Sequence, residues 1–414
     1  GGIVGINEAS GAIWVTGTAD ANGELVVIGK GVTVTGRKNA GGIAGINLGT
    51  LGDSSGPALT SSAKLVRASK GMAGGVVGTT SGNLINVVNR SELVTADEGT
   101  AGGITAVNTT GKTVSSCKNY GPVRSSNGYA GGIVADNKGT VADCTVAGTG
   151  SGANVTRTEI YSRGVDSIGA ICALNSGTVK NSVPGSAVVL RGSAAIYGGV
   201  VGTNTGTVTD TTMAQMPEIN STSGNVTAGG VVGQNEGTVN HVKTEGISFA
   251  DFQNYRYLGG IVGTNGLTKG GENGALVQNC VFSGTIREKS GAAGNSYGGI
   301  AGVNGGRLES NSVGKLTLDV QGVYTATSTS TTAEKESLSS YAGGITGKNE
   351  QYGVIRSCTL ENRADSSLTA AYGMLGGVTG FNKGAIELSG SSVTPDVMTD
   401  DVLDQSKTVR ERLS

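Results

Sequence analysis

Gly131-Gly132-Ile133-Val134-Ala135-Asp136-Asn137-Lys138-Gly139-Thr140-Val141 returns further along the chain as Gly229-Gly230-Val231-Val232-Gly233-Gln234-Asn235-Glu236-Gly237-Thr238-Val239. The shared pattern is G-G-[IV]-x-G-x-N-x-G-x-[VIL]. Its copies begin at Gly1, Gly41, Gly74, Gly102, Gly131, Gly198, Gly229, Gly259, Gly298, Gly343 and Gly376. A degenerate copy, Gly-Ala-Ile-Cys-Ala-Leu-Asn, begins at Gly169. The unit is about 29 residues long with occasional insertions, and self-similarity at such a period marks a solenoid or an array.

Each part of the unit has a mechanical reading. The apolar run after Gly-Gly reads as a strand, and Asn-x-Gly as a turn, because both residues tolerate a left-handed backbone. Thr-Val opens a second strand. A third short strand closes the coil, as in Leu25-Val26-Val27-Ile28. Stacked at the strand spacing of about 4.8 Å, twelve such coils make a rod of about 55–60 Å. A β-propeller repeats too, but its blades need about 40 residues. The expected fold is therefore all-β: a single-stranded parallel β-helix (β-solenoid) of about 12 coils, expected to be right-handed, over residues 1–392.

Composition agrees. The 414 residues include 74 glycines and only 5 prolines, yet 36% are hydrophobic, too many for a disordered chain. Basic and acidic residues number 30 and 31 and are spread evenly, which argues against a nucleic-acid partner. No apolar run approaches the roughly 20 residues of a membrane span, so no membrane insertion is expected.

Three insertions, Asn154–Asp166, Met213–Val226 and Asp319–Ser340, read as loops on one face, either drifting in solvent or meeting partners. Residues 393–414 change character. Thr394-Pro395-Asp396 resembles a helix start, and Val397, Val402, Leu403, Val409 and Leu413 fall near helical spacing. This short C-terminal segment reads as a helical cap or as a linker.

The G-G-[IV]-x-G-x-N-x-G core resembles the GLUG-motif repeats. Gly131, Gly132, Asn137 and Gly139, with Gly229, Gly230, Asn235 and Gly237, carry the likeness most clearly. The resemblance implies a secreted or cell wall-associated bacterial surface protein with a stalk or adhesive role and no catalysis. Its partners would be a host or cell-surface protein or glycan, or copies of itself. Two copies depart from the pattern: Thr80 stands where Asn is expected, and Gly11 comes two residues late after Asn7.

Four columns of side chains follow from stacking. Cys117, Cys144, Cys280 and Cys358 share one repeat position with Val87, Ser182, Thr211, Val242 and Ser389, which reads as an inward column of free thiols. Cys172 replaces a core Val. An odd cysteine count without C-x-x-C argues against a disulfide framework and a zinc site. One residue earlier lies a polar column: Asn86, Ser116, Asp143, Asn181, Asp210, His241, Asn279, Ser310 and Ser357. It should face outward. A carbohydrate-active β-helix would place carboxylates such as Asp143 and Asp210 there, about 10 Å apart on alternate coils. The single histidine, His241, excludes H-E-x-x-H zinc chemistry. No cofactor is expected. The asparagines from Asn7 to Asn382 form a third column suited to an amide ladder. Tyr129, Tyr197, Tyr257, Tyr297 and Tyr341 precede Gly-Gly and either plug the coil or stack on sugars.

Overall fold

A computed structural model describes the chain except residues 151, 165–166, 253–254, 269–273, 289–293, 322–339, 362–365, 371–372, 388–395 and 400–414. Ser389, most of the Ser/Thr-rich insertion and the tail beyond 399 therefore lie outside the described residues. The chain divides into two compact units: Gly1–Thr211 with Pro217–Ser223, and Thr212–Met216 with Gly224–Ser414.

Each unit is a stack of coils whose strands pair in parallel with the same strand of neighbouring coils. This is the parallel β-solenoid. In the first unit Val4–Asn7, Ala44–Asn47, Val77–Thr80, Thr105–Asn108, Val134–Asn137, Cys172–Asn175 and Val201–Asn204 form one such wall. Their register brings Asn47 beside Thr80, Thr80 beside Asn108 and Asn108 beside Asn137. The second unit repeats the wall with Val232–Asn235, Val262–Asn265, Ala301–Asn304, Thr346–Asn349 and Thr379–Asn382.

A coil of the first unit has five strands rather than the three expected. From residue 44 to 74 they are Ala44–Asn47, Thr50–Leu51, Ala58–Ser61, Leu65–Ala68 and Met72–Gly74. Gly-Gly is also not the start of a strand. Its first glycine ends the fifth strand, and the second, with the β-branched residue after it, forms the corner into the next coil. A Cβ on Gly74 would overlap the Val77 carbonyl, and one on Gly103 the Gly132 carbonyl of the next coil. The pair is therefore required by close backbone approach. The residue after it fills the core: Ile43, Val76, Ile104, Ile133, Ile171 and Val200 are all completely buried.

Two insertions are not loops. Thr158–Ser162 and Glu218–Ser221 are strands of the fourth sheet, paired with Val188–Gly192 on either side. The third sheet of the first unit ends at Val183–Pro184, where proline has no N–H to offer another strand. In the second unit the corresponding strands are long: Thr238–Phe252, Val281–Glu288 and Ser312–Val320, joined in parallel across register shifts.

The helix expected from Thr394 is not found in the part of the tail that is described. Asp396–Thr399 is a strand, parallel to Ser367–Ala370. Extending a sheet satisfies its backbone, which the weak helical spacing of the tail does not outweigh.

Candidate functional site

The asparagine column is a hydrogen-bonded ladder. Asn137 Nδ2 donates to Asn175 Oδ1 at 2.7 Å, and Asn175 Nδ2 to Asn204 Oδ1 at 2.7 Å. In the second unit Asn235, Asn265, Asn304 and Asn349 each donate to the next asparagine at 2.8 Å. The same amides reach the carbonyl of the glycine two residues on, as from Asn137 to Gly139 at 3.1 Å and from Asn235 to Gly237 at 3.2 Å. The side chain thus ties each coil to the next and closes its own turn. Asn47, Asn108, Asn137, Asn204, Asn235, Asn265, Asn304 and Asn349 are completely buried.

Thr80 interrupts the ladder. It accepts from Asn47 Nδ2 at 3.1 Å, and its one hydroxyl proton goes to the Gly82 carbonyl at 2.9 Å. Nothing remains to donate upward, and the buried Asn108 Oδ1 has no hydrogen-bond partner. The break in the motif and the orphaned oxygen are one fact seen twice.

The polar column faces outward as expected, and a left-handed backbone is the cause. Asn86, Ser116, Asp143, Asn181, Asp210, His241, Asn279, Ser310 and Ser357 all have φ between 43° and 56°. A left-handed residue costs most L-amino acids about 1–2 kcal/mol and is least costly for Asn and Asp. One such residue per coil rotates the chain so that its successor turns inward. Residue type here is dictated by the corner. Asp143 accepts from Asn181 Nδ2 at 2.7 Å, and His241 Nδ1 lies 2.9 Å from Asn240 Nδ2. Asp143 and Asp210 belong to the first unit, His241 to the second. Among the described residues no group of three His, Cys, Asp or Glu side chains could hold a metal ion.

The cysteine column follows inward. All five cysteines are free and buried. The position has a task beyond packing. The Cys117 N–H points at Cys144 Sγ at 3.4 Å, the Cys144 N–H at Ser182 Oγ at 3.0 Å and the Cys280 N–H at Asn311 Oδ1 at 3.0 Å. A polar or polarizable side chain there receives the amide that the left-handed corner removes from the strand ladder. Burial pushes the Cys280 thiol up to about 12 and raises those of Cys144, Cys172 and Cys358, so none is poised as a thiolate.

The tyrosines do not form a platform. Tyr197, Tyr297 and Tyr341 are core residues, whereas Tyr129 and Tyr257 are half-buried. Tyr197 donates to the Gly192 carbonyl at 3.0 Å, and Tyr297 bonds the buried Glu288 carboxylate at 2.8 Å.

Sequence reasoning missed several polar features. Asn89 donates to Asn119 at 2.7 Å, a second amide pair whose signal is the coil-length spacing of the two asparagines. Arg90 holds the buried Glu24 through two bonds of 2.6 and 2.8 Å, and its guanidinium lies 4.2 Å from the Tyr120 ring centre. Arg124, Ser126, Glu159, Tyr161, Arg163 and Arg191 line a surface cavity of about 410 Å³ on the fourth sheet. Of that lining, Glu159, Tyr161 and Arg163 fall in a stretch read as insertion.

Among the described residues, no helix is long and apolar enough to cross a membrane. Comparison with known proteins finds no matching family model, no similar curated protein and no similar solved structure.

Proposed function

We propose that this chain is a non-catalytic β-solenoid of a bacterial surface protein, acting outside the cell as a stalk or adhesin repeat region. The observation that carries the reading is the polar column. Its carboxylates occupy the residues a left-handed corner demands, so the fold accounts for them without a substrate. The asparagine ladder is likewise occupied with its own amides and turns. The GLUG-like motif supports the extracellular, adhesive side of the proposal. Incubating the purified chain with a panel of polysaccharides tests it: no product is expected. A turnover that Asp210→Asn abolishes would replace the scaffold reading with a carbohydrate-active one. Surface labelling of the source cells with an antibody to the chain checks the location, and signal only after lysis would contradict it.

A further inference from the structure

Sheet register places Arg124, Tyr161 and Arg191 side by side on three successive coils of the first unit. Glu159 stands between the two arginines, accepting from Arg124 at 3.2 Å and from Arg191 at 3.3 Å. Arg163 and Ser126 complete the lining of the cavity of about 410 Å³. Elsewhere on the same sheet arginines are matched one to one: Arg67 with Asp97 at 2.6 Å, and Arg157 with Glu218. Here two guanidinium groups, those of Arg124 and Arg191, share one carboxylate. Among the described residues Arg163 has no ion-pair partner. The neighbours that continue the Arg124–Tyr161–Arg191 row, Thr95 and Asn220, are uncharged. Among the described lining residues, three arginines and one glutamate leave an excess of two positive charges.

We infer that the groove is a binding site for a carboxylated saccharide, such as a uronic acid oligomer. Guanidinium presents a planar fork that matches a carboxylate with two parallel hydrogen bonds. Glu159 takes one nitrogen from each of two arginines and so fixes their planes, leaving further N–H groups for a ligand. Tyr161 is half-buried between them, with the Arg124 guanidinium 5.2 Å from its ring centre, and it offers an apolar face to sugar C–H groups. Ser126 and Glu159 supply partners for hydroxyls. The backbones of Arg124 and Arg191 are two coils apart, about 10 Å, but their guanidinium groups converge on Glu159, so one uronic acid carboxylate can reach both. Nucleic acid fits less well. A chain of net charge −1 has no long-range field to gather a polyanion, and phosphate backbones are held by many contacts rather than two or three.

The inference goes beyond the scaffold reading and does not rest on it, since it concerns equilibrium binding and not export or turnover. Calorimetric titration of the full chain with a galacturonic acid oligomer tests it. Three controls accompany it: the same oligomer with its carboxyls reduced to alcohols, a single-stranded oligonucleotide of equal charge, and circular dichroism of each variant. Binding with Kd at or below about 1 mM is expected. It should weaken about tenfold or more in Arg191→Gln and in Arg163→Gln, and remain unchanged in Arg67→Gln. The carboxyl-reduced oligomer should lose about as much. Absence of binding at that concentration, equal binding of the reduced oligomer, tighter binding of the oligonucleotide, or unchanged affinity in folded Arg191→Gln would each overturn the assignment.

Discussion

In the first unit the chain leaves the left-handed corner at Asp143 for a strand of two residues, Thr145–Val146. In the second it passes the equivalent corner at His241 inside a strand that reaches Phe252. Apart from the break at Thr80, the asparagine wall is alike in both units, with asparagine-to-asparagine bonds of 2.7 to 2.9 Å. The opposite side differs in what fills it. The first unit packs aliphatic residues there, such as Leu59, Val94 and Ile160, with the amide pair Asn89–Asn119 among them. The second packs Phe282, Ile286, Leu316 and Leu318, all completely buried. A constant wall set by backbone chemistry and a variable wall set by side-chain volume together let one motif carry coils of different length.

The largest expected effect separates the two fillings. Phe282→Ala in the second unit should cost about 3–5 kcal/mol, as for other buried aromatics. Val88→Ala in the first should cost about 1 kcal/mol, because it removes fewer contacts. Urea unfolding followed by tryptophan-independent circular dichroism measures both, and equal losses would erase the distinction. Removing a rung should instead act alike in both units. Asn137→Ala and Asn304→Ala each leave a buried donor on one side and an acceptor on the other, about 3 kcal/mol in either unit. A rung that costs nothing in one unit would show that its ladder is not structural.

How much of this was legible in the sequence depends on whether a feature recurs in every coil. The ladder does, from Asn7 to Asn382, so its position and role could be read directly. The left-handed column recurs too, and its restriction to Asn, Asp, Ser and His was the signal of its conformation. Its outward direction was read only from its place one residue before an inward-facing position, and the positive φ that sets it was not. The fourth sheet was not legible near Thr158–Ser162. That strand alternates Thr, Ile and Ser inward, but it sits where coil length alone suggested a loop. Tyrosine orientation was hidden for a similar reason: Tyr297 and Tyr257 differ in offset from Gly-Gly, and register puts Tyr297 beside Leu258, not beside Tyr257.

Alkaline pH probes the cysteine positions of both units at once. Unfolded thiols ionise near about pH 8.5. In the folded chain burial holds Cys280 up to about 12 and raises Cys144, Cys172 and Cys358. Above pH 8.5 the unfolded state therefore binds fewer protons than the folded one, and stability falls with rising pH, levelling only above the folded values. Each thiol contributes up to about 1.4 kcal/mol per pH unit. Denaturant midpoints between pH 8 and 11 should decline less steeply in Cys280→Ala than in the parent. Parallel slopes would mean that the thiol is exposed. A smaller gain is expected from repairing the ladder. Thr80→Asn supplies a donor to Asn108 Oδ1 and should stabilise the first unit by about 1 kcal/mol. A destabilised variant would place the break elsewhere. The smallest effect belongs to the corner. Asp143→Asn keeps the left-handed preference and should shift the midpoint negligibly, whereas Asp143→Val should cost about 1–2 kcal/mol. Equal stability of the two variants would remove backbone conformation as the reason for the column.

Side-chain amide hydrogen exchange, followed by NMR on chain carrying ¹⁵N-labelled asparagine, tests the ladder most directly. The carboxamide protons of Asn137, Asn175, Asn265 and Asn304 should exchange orders of magnitude more slowly than those of exposed Asn22 and Asn220, with protection lost only on global unfolding. Exchange of the buried amides at the exposed rate would contradict the stacking of coils through their asparagines.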